Sequence, residues 1–116
     1  MNPSYLGSRH SEIFDNLVMG ESTRVGGVSP APYSSLNLGL YSEDSSCNVQ
    51  ENRYRFFKEL DLDPNRIAGG RQIHLDRIAV VQQPGQYPGV DALVTDQSNI
   101  FLTVTVADCC PVLVYD

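Results

Sequence analysis

Residues 104–116, VTVADCCPVLVYD, constrain the fold more than any other stretch of this chain. Val104, Val106, Val112, Leu113, Val114 and Tyr115 are β-branched, aliphatic or aromatic side chains that fit a packed sheet. Asp108 stands among them, and a carboxylate in a sheet interior is costly without hydrogen bonds or a cation. The end of a strand resolves the conflict. There the sheet fixes the direction of side chains that stand beside a loop, an arrangement suited to a ligand or a catalytic group. Pro111 interrupts regular pairing just beyond the cysteines; if Cys109 faces a cavity, side-chain alternation turns Cys110 toward the core, unless a bulge near Pro111 spoils the alternation.

The rest of the chain agrees with a sheet-based domain. NVQENRYRFFKEL carries the clearest helical pattern, with Asn48 and Glu51 at capping-box spacing and Val49, Phe56, Phe57 and Leu60 on one face. Arg53 falls on that stripe; the expected outcome is a stem that covers apolar surface and a head in solvent, against a head turned toward an internal anion. The helix is predicted to end before DLDPNRIAGG, where Asp63 and Pro64 favour a break and Gly69 and Gly70 a turn. RQIHLDRIAVVQQ reads as extended, with Ile73, Ile78, Val80 and Val81 as core candidates. PGQYPG reads as a sharp interruption, and DALVT, IFLTVTVADC and PVLVYD as further extended pieces. One helix followed by strands predicts an α+β, or mixed α/β, sheet domain rather than a helix bundle. In the turn-rich first third, Phe14, Leu17, Val18, Val25, Val28, Leu36, Leu38 and Leu40 are candidates to pin the irregular backbone onto a core.

A chain of 116 residues with 41% apolar content suits one domain over residues 1–116. The net charge of -6 disfavours nucleic acid and anionic membrane as partners, although seven of the eight basic residues are arginines, whose planar fork suits phosphate or carboxylate. No run approaches the roughly 18 apolar residues of a membrane span. MNPSYLGSRHSE lacks a signal-peptide profile, and three cysteines, two of them adjacent, do not form a disulfide framework. A soluble cytoplasmic protein is the expectation.

The residues with chemical potential are few. His74 and Cys109 could share a metal or act as base and nucleophile, or serve as a surface histidine and a structural cysteine; spacing does not choose among these. Asp108 could orient a histidine or meet a substrate. Arg24, beside Ser22, Thr23 and the Gly26-Gly27 pair, could fork onto phosphate or stand solvated next to a turn; the segment is no P-loop. A serine triad is poorly supported, since His10 and His74 are the only histidines and no nucleophile elbow accompanies them.

Taken in order, STRVGGVSPAPYSSLNLGLY, NVQENRYRFF, QIH, DALVT and TVADCCPVLVYD resemble the YfiH and laccase-domain family. This is a family of purine nucleoside phosphorylases, DUF152-like, also called multicopper polyphenol oxidoreductases. The resemblance runs over residues 21–116 and implies a mixed β-sheet sandwich with flanking helices. It also implies a zinc-dependent site that handles adenosine and related purine nucleosides, by phosphorolysis with inorganic phosphate and by deamination. His74 corresponds to the metal-ligand histidine of the family's QxH motif and Cys109 to the cysteine of ADCxP. Asp108 is the accompanying catalytic candidate, and Arg24 and Asp91 are candidates to hold phosphate and ribose.

The family's third ligand is a histidine in a later HxGWRG-like segment, which does not occur in these 116 residues. The expectation is therefore a partial domain whose own zinc site is incomplete, since catalytic zinc ordinarily has three protein ligands. Three alternatives accompany this reading. One is a Cys-His hydrolase with Cys109 as nucleophile; another is a nonenzymatic folding or assembly fragment with an exposed sheet edge open to self-association. The third, a copper-dependent polyphenol oxidase, demands several copper sites that two histidines do not supply.

Overall fold

The computed structural model describes residues 5–7 and 14–116, so His10 lies outside the described residues. The chain forms two compact units, Met1–Leu62 and Asp63–Asp116. Its mixed α/β character, with one regular helix and parallel strand pairs among the described residues, agrees with the expectation from sequence.

In the first unit, β1 (Tyr5–Gly7) pairs antiparallel with β2 (Gly20–Ser22). The segment that follows has no regular element and is held by local hydrogen bonds. The backbone N–H groups of Ser35 and Leu36 both donate to the Arg24 carbonyl at 2.9 Å. Gly27 lies so close to this turn that a Cβ there would sit 2.0 Å from the Ser35 carbonyl oxygen, which only glycine permits. Of the eight apolar anchors expected in this region, Leu36 is buried, whereas Phe14, Val18, Val25 and Val28 are exposed.

Polar groups take over the anchoring. Helix α1 (Ser46–Glu59) buries Val49, Asn52, Phe56 and Phe57, one stripe at helical spacing. Asn52 is fully buried and fully bonded: its Oδ1 accepts the Val28 N–H at 2.8 Å, and its Nδ2 donates to Ser29 Oγ and the Asn37 carbonyl, both at 2.9 Å. A single side chain thereby satisfies backbone that would otherwise be stranded away from water. The capping box expected from Asn48 and Glu51 does not open the helix. Its N-cap is Ser45, which makes no side-chain cap bond, and the Ser45 N–H donates instead to Asp44. The Arg53 head is not solvated as expected: Nη1 donates to the Leu38 carbonyl at 3.2 Å and the guanidinium lies 5.0 Å from the Phe57 ring centroid. Stacking on an aromatic face and a backbone acceptor replace the water the head gives up.

The second unit opens with a 3-10 turn, Pro64–Arg66, capped by Asp63, whose Oδ1 accepts the Asn65 N–H. Strand β3 (Ile67–Arg71) is central, parallel to β5 (Gly85–Pro88) on one side and to β7 (Phe101–Thr103) on the other. Strands β4 (Ile78–Val80) and β6 (Ala92–Val94) form a second parallel pair. The core gathers Ala68, Val81 and Ile100, with Ala79, Tyr87 and Leu93 packed against them.

Several local expectations fail here for identifiable reasons. Gly69 and Gly70 form no turn but lie within β3, where a Cβ on Gly69 would meet Thr103 Oγ1 at 2.8 Å and one on Gly70 would meet Val90 Cγ2 at 2.7 Å. The glycines serve close side-chain approach rather than chain reversal. Likewise PGQYPG is not an interruption, because Gly85–Pro88 is an edge strand. Ile73, Ile78 and Val80 are exposed, and Val81 alone of that set is buried. Ile78 and Val80 flank Ala79, so the inward face of β4 belongs to the smaller residue, a one-residue register that reverses the expected set. β7 ends at Thr103, and 104–116 forms no strand: among the described residues no neighbour completes a ladder there, and Val112 and Val114 are 79% and 88% exposed. No helix among the described residues is long and apolar enough to cross a membrane.

Candidate functional site

The QIH segment leaves β3 and forms a loop that reaches β4. Gln72 spans to the segment that follows β7: its Nε2 donates to the Thr105 carbonyl at 2.9 Å, and its Oε1 accepts the Thr105 N–H at 3.0 Å and the Thr105 hydroxyl at 3.2 Å. A side-chain amide sets an NH2 donor group and a carbonyl acceptor in one plane, as a backbone peptide sets its N–H and C=O, so Gln72 extends the pairing of β3 and β7 beyond the last strand residue. Thr105 leads directly into Ala107–Cys109, where the backbone bends.

Beyond Gln72 the backbone turns sharply. His74 has φ 61°, in the left-handed region that a side chain with a Cβ disfavours. Asp91, just before β6, compensates. Its Oδ1 accepts the N–H groups of Ile73 at 3.0 Å and His74 at 2.7 Å, and its Oδ2 accepts that of Leu75 at 2.8 Å. The Asp91 N–H in turn donates to the Arg77 carbonyl at 3.0 Å. The Leu75 N–H is the largest cause of a carboxyl held below its ordinary range, reinforced by the His74 and Ile73 N–H groups and the His74 charge, against partial desolvation. Charge-assisted bonds to three successive donors hold the loop in a conformation its sequence would not choose.

His74, Asp108 and Cys109 are all exposed. Cys110 is exposed as well, contrary to the expected inward orientation, because the bend at 107–109 ends strand alternation before it is reached. The structure thus ties the His74 loop and the Cys109 segment together through Gln72 and Thr105. Arg24 lies in the first unit, exposed, with its Nε donating to the Ser34 carbonyl at 3.0 Å.

An imidazole and a thiolate suit zinc. Among the described residues, however, no group of three or more His, Cys, Asp or Glu side chains is gathered to hold a metal ion. His74 and Cys109 offer two donors of the right chemistry, short of the three protein ligands of a catalytic zinc. Gln72 and Thr105 lie within the QIH and TVADCC motifs, but neither residue type tells from sequence that one spans to the other.

Residues 18–116 match the family described as multi-copper polyphenol oxidoreductase laccase. The chain belongs to this family. Among its curated relatives, it is 43% identical over 97 residues to purine nucleoside phosphorylase ORF3 of Streptomyces griseus, covering 80% of this chain and 39% of that protein. It is 31% identical over 110 residues to purine nucleoside phosphorylase YlmD of Bacillus subtilis, covering 86% and 40%. The fold is similar to that of the Bacillus licheniformis protein YfiH, with a TM-score of 0.80 at 30% identity over 87% of this chain and 40% of that one. Neisseria meningitidis NMB0706, a DUF152 protein, gives a TM-score of 0.77 at 31% identity, over 92% and 43%. The laccase-family chain described here thus spans about two fifths of the length of these relatives.

Proposed function

We propose that this laccase-family sequence belongs to a purine nucleoside phosphorylase with associated adenosine deaminase activity. The observation that carries the reading is the set of relatives at 39–43% identity that bear the phosphorylase name. The hydrogen bonds between Gln72 and Thr105 support it, because they join the two segments that carry the motif residues the family resemblance singles out.

In phosphorolysis, a phosphate oxygen forms a bond to C1′ of the ribose while the C1′–N9 bond breaks and its electron pair leaves with the purine, which then takes a proton. Deamination instead adds water at C6 of adenine and expels ammonia. Zinc is the cofactor of this reading: His74 and Cys109 would hold it with a further ligand outside these 116 residues, and it would supply Lewis acidity and a water of lowered pKa. Arg24 serves as the phosphate anchor, its guanidinium offering a planar array of donors to the anion. Asp108, exposed at the bend beside Cys109, is the accompanying catalytic candidate of this reading. Asp91, the candidate to hold ribose, accepts three backbone N–H groups with its two carboxylate oxygens and in this reading also acts through the His74 backbone. Copper oxidase chemistry, which the family's description names, is the second reading; the phosphorylase names of the curated relatives favour the first.

The test uses a chain of the relatives' length that contains residues 1–116, incubated with adenosine, phosphate and zinc, with products resolved by chromatography. Adenine plus ribose-1-phosphate is expected, dependent on phosphate, with inosine as the second product. A folded, zinc-loaded chain that forms none of these overturns the reading.

A further inference from the structure

We propose that Gln72 and Asp91 are positioning residues that together set the placement of His74 and Cys109. The inference rests on the reading of those two side chains as the zinc donors. It deepens that reading by naming what holds them. His74 lies in a loop and Cys109 in a segment outside any strand, so neither backbone is fixed by a ladder. Both are exposed, so packing does not fix them either. What remains is a pair of side-chain devices. Gln72, two residues before His74, clasps Thr105 through a donor and an acceptor at 2.9 and 3.0 Å, which sets the register of the loop against the approach to Cys109. Asp91 then fixes the direction in which the loop leaves Gln72, by accepting the N–H groups of Ile73, His74 and Leu75 around a left-handed residue.

The two devices have different chemical requirements. Gln72 needs both faces of an amide: glutamate in its place keeps the acceptor for the Thr105 N–H but turns a second oxygen toward the Thr105 carbonyl. Asp91 needs two acceptors: asparagine keeps one and turns an NH2 toward backbone donors. Substitutions of matched size therefore separate hydrogen bonding from space-filling.

The experiment is a zinc titration of a chain of the relatives' length that contains residues 1–116, followed by NMR at His74 and Cys109, with amide shifts and hydrogen exchange read along the backbone. Gln72→Glu and Asp91→Asn should each weaken zinc binding about tenfold or more, the range seen when partners of metal ligands are removed. Asp91→Asn should shift and deprotect the amides of 73–75. Gln72→Glu should move those of 105–109 as well, while the amides of α1 and of β5 stay in place and report that each unit is folded. Wild-type affinity together with undisturbed amides in both variants overturns the proposal. If wild-type protein shows no zinc-dependent shift at His74 or Cys109, the zinc reading fails separately. The amide response then decides the positioning roles: local disturbance in both variants sustains them, and its absence removes them.

Discussion

The backbone N–H of His74 donates to Oδ1 of Asp91 at 2.7 Å while His74 itself sits at φ 61°. A carboxylate that receives this bond and its two neighbours makes an unfavourable backbone conformation the stable one, and places an imidazole on an exposed turn without using the imidazole to do so.

The first prediction follows from that separation of backbone and side chain. His74→Gly should change stability by less than about 1 kcal/mol, because glycine accepts the left-handed region while losing little packing from an exposed site. His74→Val should cost about 1–2 kcal/mol, the expense of a β-branched residue at positive φ. Urea denaturation of the two variants decides; a larger loss for glycine than for valine would show that the imidazole holds the loop.

Arg24→Ala, in a chain of the relatives' length, should reduce phosphorolysis far more than adenosine deamination, because only phosphorolysis brings inorganic phosphate to the ribose. Loss of a charge-assisted contact is worth about 1.5–3 kcal/mol, or roughly tenfold to a hundredfold in kcat/KM. Parallel rates of adenine and inosine formation measure it. An equal fall in both would remove Arg24 from the anion site.

Acid should weaken the first unit through Asp44. The Ser29 hydroxyl is the largest cause of its depressed carboxyl pKa, followed by opposing desolvation and then by bonds from Asn37, the Ser45 N–H and Asn48. A folded-state pKa below the ordinary 3.8 means that the ionised form stabilises the fold above that value. The contribution is lost as pH falls through the folded-state value. Asp44→Asn should lower stability near neutrality and flatten this acid limb, as read by denaturant midpoints over a pH series; an unchanged limb would assign the acid sensitivity elsewhere.

Gly70→Ala should destabilise the second unit by about 1–3 kcal/mol, since the new methyl meets Val90 Cγ2 at 2.7 Å and the Val90 carbonyl at 3.1 Å. Gly69→Ala should cost less, because Thr103 Oγ1 and the Gln86 amide are side-chain ends that can move. Thermal unfolding of the pair gives the order; the reverse order would mean that β3 shifts more easily than its neighbours' side chains.

What the sequence disclosed and what it concealed divide along physical lines. The apolar stripe of α1 was legible because helix periodicity repeats over several turns, and Val49, Phe56 and Phe57 are all buried. Asn52 on the same face was not, since its burial depends on Val28, Ser29 and Asn37, which are remote in sequence. Strands of three to five residues gave period-2 reasoning too little length, so a glycine pair inside β3 read as a turn and the inner face of β4 was assigned to the larger residues. In the candidate site, His74 and Cys109 stood out as residue types. Gln72 did not, because a bidentate amide is meaningful only once Thr105 lies across from it.

The parallel arrangement around β3 also bears on how the second unit comes into being. Antiparallel strands can zip from a tight turn, but Ala68 must find Gly85 on one side and Leu102 on the other, and neither encounter is nucleated by a hairpin. The loops must close before any ladder rewards them, which slows collapse relative to a helical or meander topology. On a ribosome, β3 would emerge well ahead of β7 and wait with one edge unpaired. The Gly69-Gly70 pair, poor in intrinsic strand preference and without side chains to stick, makes the waiting strand a weak template for misassembly.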